Sequence, residues 1–208
     1  MNLRYGIAMP RPYIPNDKWS RRAAKEGYRA RSVYKLMELD ERLRLLKPGM
    51  IVLDLGAAPG SWLQYTVEKI GPKGKSIGVD LQPIESIAGA TTYQQDVTDA
   101  EGVAAILQKE KVAKVDLILS DLAPSTSGIR DVDQWRSIEL NQAVIAIAQR
   151  FLKPGGVCVM KVLRGADFDQ FLKDLKSQWK KVRTAQVQAS RDRSKEIYII
   201  IATLLPDD

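Results

Sequence analysis

Histidine is absent from all 208 residues. That removes the commonest general base, the Ser/His triads and most transition-metal sites, leaving proton chemistry to Lys, Asp, Glu or Tyr. Lys161 interrupts the apolar run Val157-Cys158-Val159-Met160-Lys161-Val162. An ammonium is costly to desolvate, so this lysine either snorkels to water or serves chemistry, and we adopt the second reading. Three aspartates stand where strands would end: Asp80 after Ser76-Ile77-Gly78-Val79, Asp96 in Tyr93-Gln94-Gln95-Asp96-Val97, and Asp121 after the apolar run Val115-Asp116-Leu117-Ile118-Leu119-Ser120. In a doubly wound sheet the ligand lies beyond the carboxyl ends of the strands, which is where such carboxylates would sit. Asp80, 24 residues after Gly56, can accept from ribose hydroxyls or merely cap its strand. Asp96 can accept from an adenine amino group or cap a turn, and Asp121 stands at the rim beside the cofactor strand.

The cofactor strand is Ile51-Val52-Leu53-Asp54-Leu55, which ends in the turn Gly56-Ala57-Ala58-Pro59-Gly60-Ser61-Trp62. Gly56 and Gly60 can take backbone angles closed to other residues and let main chain approach a nucleotide-like ligand. Ser61 is expected to cap the helix that follows. The turn lacks the third glycine of the dinucleotide fingerprint, and Pro59 stiffens the place of a pyrophosphate, so S-adenosylmethionine fits better than a dinucleotide.

These residues need elements to hold them. Apolar runs near 51–55, 76–80, 115–120 and 156–163 read as strands, and amphipathic stretches near 61–70, 100–111 and 134–152 as helices. The alternation predicts a parallel sheet with helices on both faces. Phe168 to Trp179 makes another helix, then Val182–Gln188 and Ile197–Leu204 a strand pair joined by a polar, basic link. Residues 17–46 follow a helical pattern that breaks near Gly27, and Pro10, Pro12 and Pro15 make 1–16 an extended arm.

With 45% hydrophobic residues the chain can bury one sizeable core, so one domain over 1–208 is expected. There is no apolar stretch of about 20 residues and no signal-like leader, which predicts a cytoplasmic protein without membrane contact. Cys158, the one cysteine, reads as a packed apolar side chain. The net charge of +7 is confined to one end: residues 1–35 carry 9 basic and 2 acidic side chains, leaving 23 of each (32 less 9, 25 less 2) for the rest. There Lys18, Arg21, Arg22, Lys25, Arg29 and Arg31 interleave with Trp19, Tyr28 and Tyr34. That mixture suits phosphate contact and base stacking, so a nucleic-acid partner is expected.

Lys35, Asp121, Lys161 and Glu196 together resemble the lysine, aspartate, lysine, glutamate tetrad of the FtsJ-like ribosomal RNA 2′-O-methyltransferases. The resemblance runs through Arg29-Ala30-Arg31-Ser32-Val33-Tyr34-Lys35-Leu36, Leu46-Lys47-Pro48-Gly49, Asp54 to Trp62, Ser120-Asp121-Leu122-Ala123-Pro124, Lys161-Val162 and Ser190 to Tyr198, and so spans most of the chain in order. It implies a Rossmann-like α/β fold, doubly wound, with a mostly parallel seven-stranded sheet and an antiparallel C-terminal strand. It also implies methylation of a uridine ribose 2′-hydroxyl in 23S-type large-subunit ribosomal RNA, with S-adenosyl-L-methionine as donor, no metal, and a monomer acting within the large subunit. Gly56, Pro59, Gly60, Trp62, Asp80, Asp96 and Asp121 would line the cofactor, and the tetrad would serve the acceptor. Lys161 would be general base, with burial opposing its charged form and Asp121 and Glu196 favouring it. Lys35 would stabilise the hydroxyl oxygen, Asp121 hold Lys161, and Glu196 orient a lysine or the ribose. The competing readings are a tRNA or messenger-cap 2′-O-methyltransferase and a non-catalytic RNA-binding assembly factor.

Overall fold

The computed structural model describes residues 18–124, 127–189 and 196–204. The expected arm at 1–16 and the basic link at 190–195 lie outside the described residues.

Two short helices lead, α1 (Lys18–Lys25) and α2 (Val33–Leu43), separated where the sequence reading put the break at Gly27. There follow β1 (Ile51–Leu55), α3 (Ser61–Ile70), β2 (Lys75–Asp80), β3 (Ala90–Gln94), α4 (Ala100–Lys109), β4 (Val115–Ser120), α5 (Arg130–Phe151), β5 (Leu152–Leu163), α6 (Phe168–Gln178), β6 (Trp179–Ala185) and β7 (Glu196–Leu204). The seven strands form one sheet in the order β3-β2-β1-β4-β5-β7-β6. Strands β1 to β5 pair in parallel, while β7 runs antiparallel to both β5 and β6. This is the expected doubly wound α/β fold.

Periodicity missed β3, because Ala90-Thr91-Thr92-Tyr93-Gln94 is a sheet edge with no fully buried residue and so carries little apolar signal. The second difference is at β6, which begins at Trp179 directly off α6 rather than at Val182. Helix α5 starts at Arg130, four residues before its apolar face becomes legible at Gln134.

Two apolar cores lie on the two faces of the sheet. One takes Val103 and Leu107 of α4, Val144 and Ala148 of α5, and Phe171 and Leu175 of α6, together with Cys158, Met160 and Val162 of β5. The other takes Val33, Leu36 and Leu39 of α2 and Trp62 of α3, with Leu117 and Leu119 of β4 and Val159 of β5. Side chains along a strand alternate between faces, so residues two apart share one. Asp121 falls in phase with Leu117 and Leu119, Lys161 with Val159, and Glu196 with Tyr198 and Ile200, which belong to the α2 face. Parity alone therefore aims all three toward the helix that carries Lys35.

Candidate active site

Lys35 is on the inward face of α2, one turn before Leu39, and is 8% exposed despite its charge. Its Nζ donates to Glu196 Oε2 at 2.7 Å and lies 3.9 Å from Asp121 Oδ1. Lys161 Nζ lies 3.1 Å from the same Asp121 Oδ1 and donates to the Asp121 main-chain carbonyl at 2.7 Å. The four side chains, from α2, the end of β4, β5 and β7, thus meet as two ammonium and two carboxylate groups, balanced in charge. Burial of such groups is tolerable only when each is paired, and here each is. From α5, buried Asn141 donates to the Lys161 carbonyl at 2.9 Å, and Ser137 Oγ accepts from Leu163 N at 3.0 Å, which fixes the end of β5.

Sequence reading missed Tyr198. It pairs with Lys161 in the β5–β7 register, is fully buried, and donates from its hydroxyl to Asp121 Oδ1 at 2.7 Å. Burial, and then the neighbouring Asp121 charge, raise its phenol well above the ordinary value. The signal was available, since Tyr198 stands two residues after Glu196 on a strand and must share its face.

Beside the cluster a cleft of about 310 Å³ opens over the carboxyl ends of β1, β2 and β4, with Gly56, Asp80, Asp96, Val97, Asp121 and Leu122 in its walls. Gly56 has φ +79°, and a Cβ there would come within 2.5 Å of Leu122. Gly60, at φ +104°, has Ile87 and Arg29 where a side chain would go. Asp80 accepts from Ala58 N at 2.9 Å and from Gln82 N at 2.8 Å, so it fixes the turn while standing at the cleft edge. Asp96 accepts from the main chain and hydroxyl of Thr98, both at 2.8 Å, which is the turn-capping arrangement. Asp54 is buried beneath, with Oδ2 unpaired among the described residues. Burial first, then the charges of Asp121 and Asp80, raise its carboxyl well above the ordinary range.

The helix cap is Gly60 itself, and Ser61 instead exchanges a hydrogen bond with Ser32 Oγ at 2.9 Å. Trp62 lies in the first turn of α3, directly after the glycine turn, 3% exposed, with its indole N–H donating to Ser32 O at 2.8 Å. Pro59 and Gly60 complete the turn. Arg29, expected on RNA, faces inward: its guanidinium donates to Pro59 O at 3.0 Å, Glu85 O at 2.8 Å and Ser86 O at 2.9 Å. Arg31 likewise donates to Ala189 O at 2.9 Å. The physical reason is that residues 29–31 pack against the glycine turn and the segments at 85–86 and 189, whose main-chain carbonyls supply acceptors for the two guanidiniums. The remaining basic residues, Lys18, Arg21, Arg22 and Lys25, have helical spacing and are exposed on α1. Arg22 is paired to Glu26 at 2.7 Å and stacked 4.7 Å over Tyr34. Cys158 is buried and inert, its thiol pushed up by burial. Among the described residues no group of acidic or cysteine side chains is arranged to hold a metal ion, and no helix is long and apolar enough to cross a membrane.

The FtsJ-like methyltransferase family model matches residues 28–204. The chain belongs to the FtsJ-like methyltransferase family. This FtsJ-like methyltransferase is 45% identical over 185 residues to the ribosomal RNA large subunit methyltransferase E of Azoarcus sp. strain BH72, covering 89% of this chain and 90% of the relative. It is 42% identical to the protein of the same name from Chromohalobacter salexigens, covering 89% and 88%. Among solved structures, a ribosomal RNA methyltransferase from Plasmodium falciparum superposes with a TM-score of 0.76 at 28% identity, covering 86% of this FtsJ-like chain and 100% of the other.

Proposed function

We propose that this chain methylates a ribose 2′-hydroxyl, that of a uridine, in large-subunit ribosomal RNA, with S-adenosylmethionine as methyl donor. The observation that carries the reading is the double membership of Asp121: it walls the cleft beside the glycine turn and is the carboxylate to which both buried lysines turn. A donor in that cleft and an acceptor at the lysines would be adjacent. The relatives' names favour ribosomal RNA over tRNA or a messenger cap.

The cleft's chemistry fits such a donor. Carboxylates and carbonyls suit ribose hydroxyls and a cationic centre, and Val97 and Leu122 suit a base. When bound, the donor supplies an electrophilic methyl on a sulfonium, so the protein has only to align the hydroxyl and manage one proton. Lys35, fixed by Glu196, steadies the hydroxyl oxygen as its charge grows. Lys161, held 3.1 Å from Asp121 Oδ1, takes the hydroxyl proton once its own has been released to solvent. Tyr198 holds that carboxylate in place. Lys18, Arg21, Arg22 and Lys25 on α1 bind RNA phosphates, within an extension covering 17–46. The chain works as a monomeric methyltransferase domain in the cytoplasm, without a metal.

Transfer of tritiated methyl from labelled donor to purified large subunits, free large-subunit RNA and tRNA tests this reading. Label in the ribosomal substrates, resistant to alkaline cleavage at one uridine, is expected. Label only in tRNA favours the alternative acceptor. RNA binding without any transfer makes the chain an assembly factor.

A further inference from the structure

We infer that a second cleft, on the far side of α5 from the donor site, is a subsite for an unstacked nucleotide of the substrate RNA adjoining the target ribose. The inference rests on the RNA-methylating reading above. The cleft is about 650 Å³, with Arg130, Asp131 and Gln134 at the head of α5, Arg164 just after β5, Gln186 and Ile197 in its walls. Its placement brings it to the same end of the sheet as the tetrad: Ile197 is the chain neighbour of Glu196, facing the other side of β7, and Arg164 follows Leu163, the register partner of Glu196. A strand whose ribose sits at Lys35 and Lys161 would have its next nucleotide at this edge of the sheet.

The chemistry of the walls suits a nucleotide. Arg164 and Arg130 are both exposed, and Arg164 is steadied 5.6 Å over the Phe168 ring. The Arg130 side chain makes no hydrogen bond or ion pair among the described residues, and with Arg164 it sets two cations at the rim beside Asp131 and Asp133 of the first turn of the 22-residue α5. Asp131, the carboxylate in the lining, can accept from a base amino group or a 2′-hydroxyl. The large apolar side chains exposed among the described residues are Leu81, Ile129 and Trp135. Leu81 belongs to the donor cleft, and the other two, 62% and 52% exposed, are chain neighbours of the lining residues Arg130 and Gln134. Trp135 follows Asp131 by one helical turn and so shares its side of α5, where a base can stack.

The floor is built rather than incidental. Gln134 donates to Arg164 O at 2.6 Å, and a Cβ at Gly165 would displace the Gln134 side chain from that position.

The test uses the full chain with Trp135→Ala, Trp135→Phe and Arg164→Ala. Two readouts are taken: KM and kcat for methyl transfer to large-subunit RNA, and anisotropy of a fluorescein-labelled single-stranded uridine 12-mer. S-adenosylhomocysteine titration calorimetry verifies that each variant folds with an intact donor site. Trp135→Ala is expected to raise KM for RNA about tenfold, as loss of one stacked base would, with kcat changing less than KM. Trp135→Phe should restore most of the loss, and Arg164→Ala should weaken binding and lessen its salt dependence. Native KM and native oligomer affinity in both alanine variants would overturn the subsite and leave the patch to a protein partner. If the native chain transfers no methyl, the functional reading fails, yet the anisotropy arm still decides whether this cleft holds RNA.

Discussion

Arg29 offers the sharpest test, because its sequence context and its structure assign it to different ligands. A basic residue among aromatics at the charged end of the chain reads as a phosphate contact, whereas the folded protein spends its guanidinium on Pro59, Glu85 and Ser86 carbonyls. A hydrogen bond to a charged group contributes about 1.5–3 kcal/mol when buried. The side chain is 22% exposed, so water would replace part of each bond, and the set is worth about 3 kcal/mol. Those bonds tie the cofactor turn to the segment after Asp80, and their loss frees two pieces of main chain that must be re-ordered when the donor binds. Assigning half of the total to the bound state gives about 1.4 kcal/mol, a tenfold weaker donor affinity. Arg29→Met should therefore bind S-adenosylhomocysteine about tenfold more weakly by calorimetry, with RNA affinity and its salt slope nearly native. Arg29→Lys, which keeps the charge but not the fork, should recover only part. If Arg29→Met binds S-adenosylhomocysteine normally while its RNA salt slope falls by about one, the residue is a phosphate contact after all.

Lys161→Met should lower single-turnover methyl transfer by about a hundredfold or more while S-adenosylhomocysteine affinity stays within about twofold; native transfer would remove Lys161 from proton handling. Arg21→Ala and Lys25→Ala should each flatten the slope of log RNA affinity against log salt by about 0.7–0.9 and leave the donor untouched; unchanged slopes would make α1 a solvated face. Asp54 gives a pH effect on stability. Its carboxyl is raised in the folded chain, so the folded state keeps the proton to higher pH than the unfolded one. That stability is complete below the ordinary carboxylate range and is lost as pH rises through the raised value. Asp54→Asn, always neutral, should melt above the native protein near about pH 8 and match it near about pH 4. Melting curves that differ by a constant amount across that range would count against the raised carboxyl.

Sequence by itself determined the layered α/β plan, because alternating apolar strands and amphipathic helices have few ways to bury their faces. Strong elements such as β1, β4 and β5 announced themselves through buried branched residues. The edge strand β3 did not, since an edge half open to water needs no apolar pattern. Lys161 stood out because an ammonium interrupts an apolar run and Asp121 because it closes one, whereas Lys35 and Glu196 were named only through the resemblance to the family. Strand parity gives the face on which Asp121, Lys161 and Glu196 emerge, once the structure has put Glu196 at the start of β7 rather than in the link before it. What only the tertiary structure decided is who pairs with whom. Lys35 meets Glu196 across 161 positions of chain, Tyr198 closes on Asp121, and Arg29 abandons solvent for the carbonyls of the cofactor turn. Such choices depend on distances between elements far apart in the polymer, and a local pattern carries no information about a partner it does not contain.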